Sequence, residues 1–435
     1  MSVPILKYGI DDTSRVFGRT QLGNSEYISA VNEIIENVKN RKDEALFEYA
    51  LKFDRQIIDK DNVLVSDSEI EEAYSKVDKA LVESIRKAKA GILDYHSRQK
   101  VKFSNEFFKS GASGESTLGW IYRPLARVGL YVPGGKASYP STVLMTALPA
   151  IAAGVDEVIV ATPNINNPAI LVACKECGIK KIYKIGGAQA VAAMAYGTQS
   201  VPRVDLIAGP GNVFVTLAKK QVFGHVAIDM IAGPSEILII ADESADAKLL
   251  ASDLLSQAEH DEQAASILVT ISEDLAKKVQ KELDRQTALL ERKDIISKSL
   301  ETNGAIIIAK DIEEAIMIAD EVAPEHLEVC TENAGEVAMK LSNAGAIFVG
   351  NFSPEPLGDY FAGPSHVLPT SGSARYSSVL SVDTFMKKIS YIEYAKQDLL
   401  SCADDIIAIA ESEGFGAHAN TIKLRKAEYG DKEKI

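Results

Sequence analysis

Cysteine, tryptophan, basic surface and long apolar runs are all scarce in this chain. Four cysteines in 435 residues are too few for a disulfide framework. Cys174 and Cys177 make a lone C-x-x-C with no second cysteine pair and no nearby histidine. The helical composition of residues 170–178 makes them helix residues rather than a redox or zinc pair. The longest apolar run, near residues 143–155, contains Pro149 and falls short of a membrane span. No charged N-terminal region leads into an apolar core and cleavage site, so the expected location is the cytoplasm, with no membrane partner. The net charge is −14, and the lysine pairs Lys180-Lys181 and Lys387-Lys388 are short. That excludes a phosphate-backbone stripe and, with it, nucleic acid.

What is present is an ordinary soluble composition, 46% hydrophobic and 25% charged, in a chain too long for one compact core. Residues 26–52 and 68–100 carry apolar side chains at helical spacing, so the first hundred residues are expected to be mainly helical. Glycine and serine cluster at 110–116, a turn before the strand-like residues 120–122. From Gly129 onward short apolar runs alternate with helical ones, at 157–161, 181–185, 204–208, 236–241, 266–271, 305–309 and 346–349. That alternation points to a mostly parallel α/β architecture. Beyond about residue 380 the tail reads as helical, broken at Glu413-Gly-Phe-Gly-Ala-His418. A tail of about 55 residues cannot bury a core of its own and must pack on the main body or on another subunit.

The chemistry-bearing residues are few. Ile228-Asp-Met-Ile-Ala-Gly-Pro-Ser235 runs into the apolar residues 236–241, and a helix then presents Gln257 and His260 at i and i+3. That spacing puts an amide oxygen and an imidazole on one face, within reach of a single metal ion. Val204-Asp-Leu-Ile-Ala-Gly-Pro-Gly211 echoes the first segment, either by chance or as a second loop that lets a ligand approach. Among six histidines, His96 and His225 read as surface or capping residues. Gln257, His260, Asp359 and His418 form a plausible nitrogen–oxygen metal set, with Asp359 on a turn at Pro356–Tyr360. Only Gln257 and His260 have a relation fixed by spacing. Pro324-Glu-His-Leu327 sets a carboxylate beside an imidazole, suited to two proton-transfer tasks or to a plain helix end and surface histidine. The usual G-x-G-x-x-G is missing. Gly209-Pro-Gly-Asn212, 129–135 and 186–189 are tight turns that a cofactor could approach.

Taken together, residues 228–261, 129–135, 186–189, 209–212, 323–327, 357–360, 366–370 and 413–418 resemble the histidinol dehydrogenase family, in its order and over nearly the whole chain. The resemblance implies two incomplete, atypical Rossmann-like α/β domains with a short N-terminal arm (1–23) and a small helical C-terminal domain (381–435). The larger α/β domain would comprise 24–130 and 238–380 and carry metal and catalytic residues. The second, 131–237, would be the NAD side. The implied reaction is oxidation of L-histidinol through the aldehyde to L-histidine with two NAD molecules. Zinc would be held by Gln257, His260, Asp359 and His418. Substrate would touch Ser235, Gln257, His260, His326, Asp359, Glu413 and His418. Glu325 and His326 would be the acid–base pair, and Tyr131, Gln189 and Asn212 would face NAD. The family is a homodimer whose tail, with Glu413 and His418, completes the neighbour's site, and His366 stands outside the first rank. The rival readings are an enzyme for another hydroxymethyl compound and a zinc hydrolase using Glu325 on metal-bound water.

Overall fold

The computed structural model describes residues 3–18, 25–134, 139–163 and 165–430. The chain divides into two compact units, Met1–Lys100 with Leu125–Phe385, and Val101–Pro124 with Met386–Ile435.

The first unit holds two sheets. One runs Ile5–Lys7, Ala305–Ile308, Ala265–Thr270, Glu236–Ala241, His326–Cys330, Ala346–Val349. The other runs Lys181–Tyr183, Glu157–Ala161, Arg127–Tyr131, Leu206–Ala208, Ala227–Ile228. Every pairing in both is parallel. Leaving Ile5–Lys7 aside, each sheet runs third, second, first, fourth, fifth in chain order, the order of a dinucleotide-binding half. The Rossmann-like reading of both halves therefore holds. Within the expected N-terminal arm, Ile5–Lys7 adds an edge strand, while residues 1, 2 and 19–24 lie outside the described ones.

The central strands are buried along their length because a parallel sheet is covered on both faces. Period-two alternation divides them. Ile237, Ile239 and Leu268 meet Leu250, Leu254, Leu275 and Val279 on one side, while Leu238, Ile240, Ile267 and Val269 meet Ala315, Ile318 and Val322 on the other. Each such side chain contributes about 1.5–3 kcal/mol through burial. The echoing segments prove to be neighbours, with Leu206 opposite Ala227 and Ile207 opposite Ile228.

The early helices Ser25–Arg41, Asp43–Tyr49, Asp67–Lys76 and Lys79–Lys100 form where spacing predicts them. The grouping of 24–130 with the larger half differs from the observed packing. Val31, Ile34, Ile35 and Val38 share a core with Tyr131, Ile159 and Ile207 of the five-stranded sheet. Helical spacing marks an apolar stripe but not which sheet it covers.

The second unit has an antiparallel sheet, Met386–Glu393, Ser116–Pro124, Glu106–Ser110, and helices Lys396–Ser401, Ala403–Ser412 and Gly416–Tyr429. The tail thus has a 3-10 turn at Val382–Phe385 and is α-helical only from residue 396. Met386–Glu393 is a strand because its ladder to Ser116–Pro124 supplies hydrogen bonds that the tail's own sequence does not reveal. Asp398 ties tail to hairpin, accepting from the hydroxyl of Ser116 (2.6 Å) and from the N–H and hydroxyl of Ser113 (2.7 and 2.8 Å). Gly111, at φ +82°, leaves room for it, since a Cβ there would fall 2.1 Å from Asp398 Oδ2. The Ser116 hydroxyl, followed by the Ser113 N–H, holds the carboxyl at about 2, below its ordinary 3.8.

A folded value below the unfolded one gives stability that is complete above the unfolded value and is lost as pH falls through the folded one. Asp398→Asn should therefore lower the urea midpoint reported by Trp120, the chain's only tryptophan. The gap from the parent should close as pH is lowered from neutral to about 2; a gap of constant size would rule out this role.

Candidate active site

Helix Ile312–Val322 ends on Ala323, a buried alanine in the left-handed region (φ +48°). Such backbone is strained for a residue with a Cβ. Pro324 cannot continue the helix, so the chain turns and His326 opens a strand between Ile237 and Ala346. This geometry fixes Glu325 and His326 on the backbone of Glu236. Glu236 N–H donates to Glu325 Oε2 (2.9 Å), and His326 Nδ1 lies 3.0 Å from Glu236 O. A carbonyl only accepts, so Nδ1 carries the hydrogen. Nε2 then faces Asp359 Oδ1 (3.7 Å) and Glu355 Oε1 (4.0 Å). Burial, against the pull of His326, pushes the Glu325 carboxyl up to about 8. Burial alone would lower His326, but Glu325, Asp359 and Glu355 outweigh it and lift the imidazole to about 10. The pair is neither helix end nor surface.

Gln257, fully buried, lies in the last turn of helix Ala247–Ala258, whereas His260 sits in the turn just past its end rather than on the helix as expected, its N–H on Gln257 O at 3.2 Å. One ligand atom each from His260, Glu355 and Asp359 lie within 4.8 Å of one another. Asp359 sits on a short helix, Glu355–Tyr360, where a turn was expected. The i, i+4 spacing there puts Glu355 on the same face. Glu355 was not foreseen, although an acid one helical turn before Asp359 was its signal. Burial favours the neutral, ligand-competent imidazole of His260. Burial also opposes ionisation of Asp359, but His326 and His366 overcome it and hold that carboxyl well below the carboxylate range. His366 Nδ1 reaches Asp359 O (3.1 Å) and its Nε2 lies 3.4 Å from Thr142 Oγ1, which braces Asp359.

Both amide atoms of Gln257, Nε2 of His326 and Oε1 of Glu355 are buried without a hydrogen-bond partner. Each such atom costs about 1–3 kcal/mol unless something bound satisfies it. Neutral imidazole, carboxylates and an amide oxygen are donors that suit a divalent cation. The residues fit a metal. A cavity of about 310 Å³ opens beside them, lined by His326, Phe348, Leu357, Asp359, Ser365 and His366, the size of a small-molecule pocket.

A larger cavity, about 770 Å³, lies between the carboxyl end of the five-stranded sheet and the amino end of the six-stranded one. Gly211, Asn212, Thr216, Glu236, Asp261 and Ser371 line it. Ser235, half-buried, stands between the lining residues Pro234 and Glu236. Asn212 caps helix Val213–Val222, accepting from Phe214 and Val215 N–H (3.1 and 3.2 Å). Gly209 (φ +114°) crosses so close to Tyr131 that a Cβ would lie 2.2 Å from its carbonyl oxygen. Tyr131 and Gln189 are buried and engaged by protein: the Tyr131 hydroxyl accepts from Gly187 N–H (3.0 Å), and Gln189 Nε2 donates to Asp54 Oδ2 (3.2 Å). Of the three expected cofactor residues, Asn212 alone lines the large cavity. Gly135, in the glycine-rich residues 129–135, lies outside the described residues.

Glu413 and His418 belong to the second unit and are exposed, Glu413 just after helix Ala403–Ser412 and His418 in the first turn of Gly416–Tyr429. Cys174 and Cys177 are buried, and burial pushes the Cys177 thiol up to about 12, which removes the thiolate that redox or zinc chemistry requires.

The family model described as histidinol dehydrogenase matches residues 18–426. The chain belongs to the histidinol dehydrogenase family. A histidinol dehydrogenase of Caldanaerobacter subterraneus is 52% identical over 415 residues, covering 95% of each chain. One of Heliobacterium mobile is 49% identical, covering 97% of this chain and 99% of that one. The crystal structure of histidinol dehydrogenase from Elizabethkingia anophelis superposes with a TM-score of 0.91 at 36% identity and covers 99% of both chains. The hydrolase and other-substrate readings gain no such support.

If Glu355 shares the cation with His260 and Asp359, Glu355→Gln should weaken zinc binding by about 10–100-fold in a chelator competition, as loss of a supporting carboxylate does elsewhere. Unchanged affinity would remove Glu355 from the set.

Proposed function

We propose that this chain oxidises L-histidinol through L-histidinaldehyde to L-histidine, with NAD as hydride acceptor and zinc at the Gln257–His260–Asp359 site. As a member of the histidinol dehydrogenase family it is an oxidoreductase of histidine biosynthesis, whose last step this is. The observation that carries the residue roles is the Glu325–His326 pair held on both backbone polar atoms of Glu236, with Nε2 free to meet a substrate.

Zinc would be held by Gln257, His260 and Asp359, with His418 of the partner subunit as fourth ligand, and would supply positive charge that orients the substrate's imidazole and amino nitrogens. Ser235 and the partner subunit's Glu413 would add substrate contacts, and Tyr131, Gln189 and Asn212 would face NAD. Residues 238–380 thus carry the chemistry and 131–237 the cofactor side.

His326 does the proton work. With its Nδ1–H on Glu236 O, the neutral ring presents the lone pair of Nε2 as the base, and Glu325, Asp359 and Glu355, outweighing burial, raise its affinity for a proton. It takes the hydroxyl proton as hydride leaves the carbinol carbon. Glu325 then takes a proton from the water that adds to the aldehyde, and His326 acts a second time on the hydrate. In sum an alcohol and one water become an acid, while two hydrides leave to two NAD molecules and two protons leave through His326 and Glu325.

The exposed tail residues Glu413 and His418, together with exposed Ile409, Phe415, Leu424 and Tyr429, support a homodimer in which each tail completes the other subunit's site. No described helix is long and apolar enough to cross a membrane, and the proposed location is the cytoplasm.

Zinc-loaded protein should form two NADH per L-histidinol, lose this on chelation and regain it with zinc, and Glu325→Gln should slow the second NADH more than the first. No NADH from loaded protein would end the reading, and equal slowing would end the division of labour. Separately inactive His418→Asn and His260→Asn subunits, mixed and exchanged, should recover activity in the sites that pair two intact contributions. No recovery would leave each site within one chain.

A further inference from the structure

A dinucleotide-binding half usually carries an acid at the carboxyl end of its second strand, where it takes the adenosine ribose hydroxyls. In the five-stranded sheet the second strand is Glu157–Ala161, and the sequence after it, Thr162-Pro-Asn-Ile-Asn-Asn-Pro168, contains no acid. An acid is nevertheless brought there from far away in the chain. Residues Ala50–Asp54 form one π-helical turn, a departure from α-helix that tends to mark functional sites. Arg55 follows in the left-handed region (φ +55°), and Gln56 Nε2 donates to Pro163 O at 2.5 Å. This anchors the turn to the end of the second strand.

Asp54 then stands among the ends of three strands. Its Oδ2 accepts from Gln189 Nε2 (3.2 Å), and its carboxylate takes the N–H of Gly186, just beyond the third strand Lys181–Tyr183. Tyr131, last residue of the first strand, reaches across to the N–H of Gly187 (3.0 Å). Gly186 must lack a side chain, since a Cβ would lie 2.6 Å from the Pro163 ring. With its carboxylate on the N-terminal peptide of helix Gly187–Tyr196, Asp54 closes that helix end to a phosphate. Tyr131 and Gln189 are two of the three residues proposed to face NAD, while the third, Asn212, lines the large cavity at the end of the fourth strand. The dinucleotide would thus lay its adenosine half over the first three strands and its nicotinamide half toward Glu236.

We propose that Asp54 is the residue that makes this site select NAD over NADP, its carboxylate accepting from the adenosine ribose hydroxyls and repelling a 2′-phosphate. The inference rests on the NAD reading above. It adds a residue that neither the glycine-loop pattern nor the second strand contains.

The test uses zinc-loaded Asp54→Asn and Asp54→Ser, with Asp54→Glu as the conservative control. Dinucleotide affinity is measured by titration calorimetry without substrate, beside steady-state kinetics with each dinucleotide. In both neutral variants the affinity for NAD should fall about tenfold and that for NADP should rise about tenfold, the worth of one ribose hydrogen bond and one removed repulsion. Zinc content and kcat at saturating NAD should stay at parent values, and Asp54→Glu should keep the preference for NAD. Equal losses of NAD and NADP affinity in the neutral variants, or an unchanged ratio, would overturn the proposal and leave Asp54 a tie between chain segments. A parent protein that binds neither dinucleotide would instead overturn the NAD reading, and this inference with it.

Discussion

The site depends on the backbone of one residue. Glu236 gives its N–H to Glu325 and its carbonyl to His326, and the parallel register of His326 against Ile237 makes that possible. Because side chains alternate along a strand, a one-residue slip of His326–Cys330 against Glu236–Ala241 would turn His326 away from Asp359. The same slip would pull Leu327 out of the core it shares with Leu238 and Ile240, at about 1.5–3 kcal/mol for each side chain lost from burial. Packing energy that has nothing to do with chemistry thus enforces the catalytic geometry, and it is large enough to hold a left-handed alanine beside the site.

Around that residue the protein gathers acid where water is scarce. Burial raises Glu328 and Glu355 to about 8 and Asp253 to about 6, and Glu328 Oε1 accepts the Glu355 N–H at 2.7 Å. Buried carboxyls without counter-charge disfavour folding, so the arrangement makes sense as one half of a site that a cation completes. The overall negative charge of the chain is of a piece with this. The excess acid sits partly inside, where it can do electrostatic work.

Much of this was legible in the sequence, and the reasons differ by residue. Gln257 and His260 are three apart in sequence, at and just past the end of one helix, so short sequence spacing alone paired them. The strand Glu236–Ala241 announced itself because burial on both faces needs an unbroken apolar run. His326–Cys330 did not, since its charged and polar residues at 325, 326 and 328 hide a buried strand behind a functional one. Glu355 is hidden because Pro356–Tyr360 reads as a turn in the sequence, where i+4 has no meaning, while the structure makes it a helix. The early helices could be found but not placed, and the strand Met386–Glu393 is made by a partner more than 250 residues away. Tyr131 and Gln189 came from family likeness alone, and nothing local shows that their side chains are turned to Gly187 and Asp54. What the sequence conveys poorly is long-range pairing, and the site is built largely from that.

Ile5–Lys7 pairs with Ala305–Ile308, about 300 residues further on. During synthesis at about 5–20 residues per second, that first strand emerges long before its partner exists and waits roughly 15–60 s with its edge unpaired. The sheet can close only when the chain is some two-thirds made, and the His326 strand, added on the other side of Glu236–Ala241, comes later still. A ribosome that stalls between these events would hold a half-sheet with open edges and no chemistry. The order in which the polypeptide leaves the ribosome therefore keeps the enzyme inert until nearly all of it has been built.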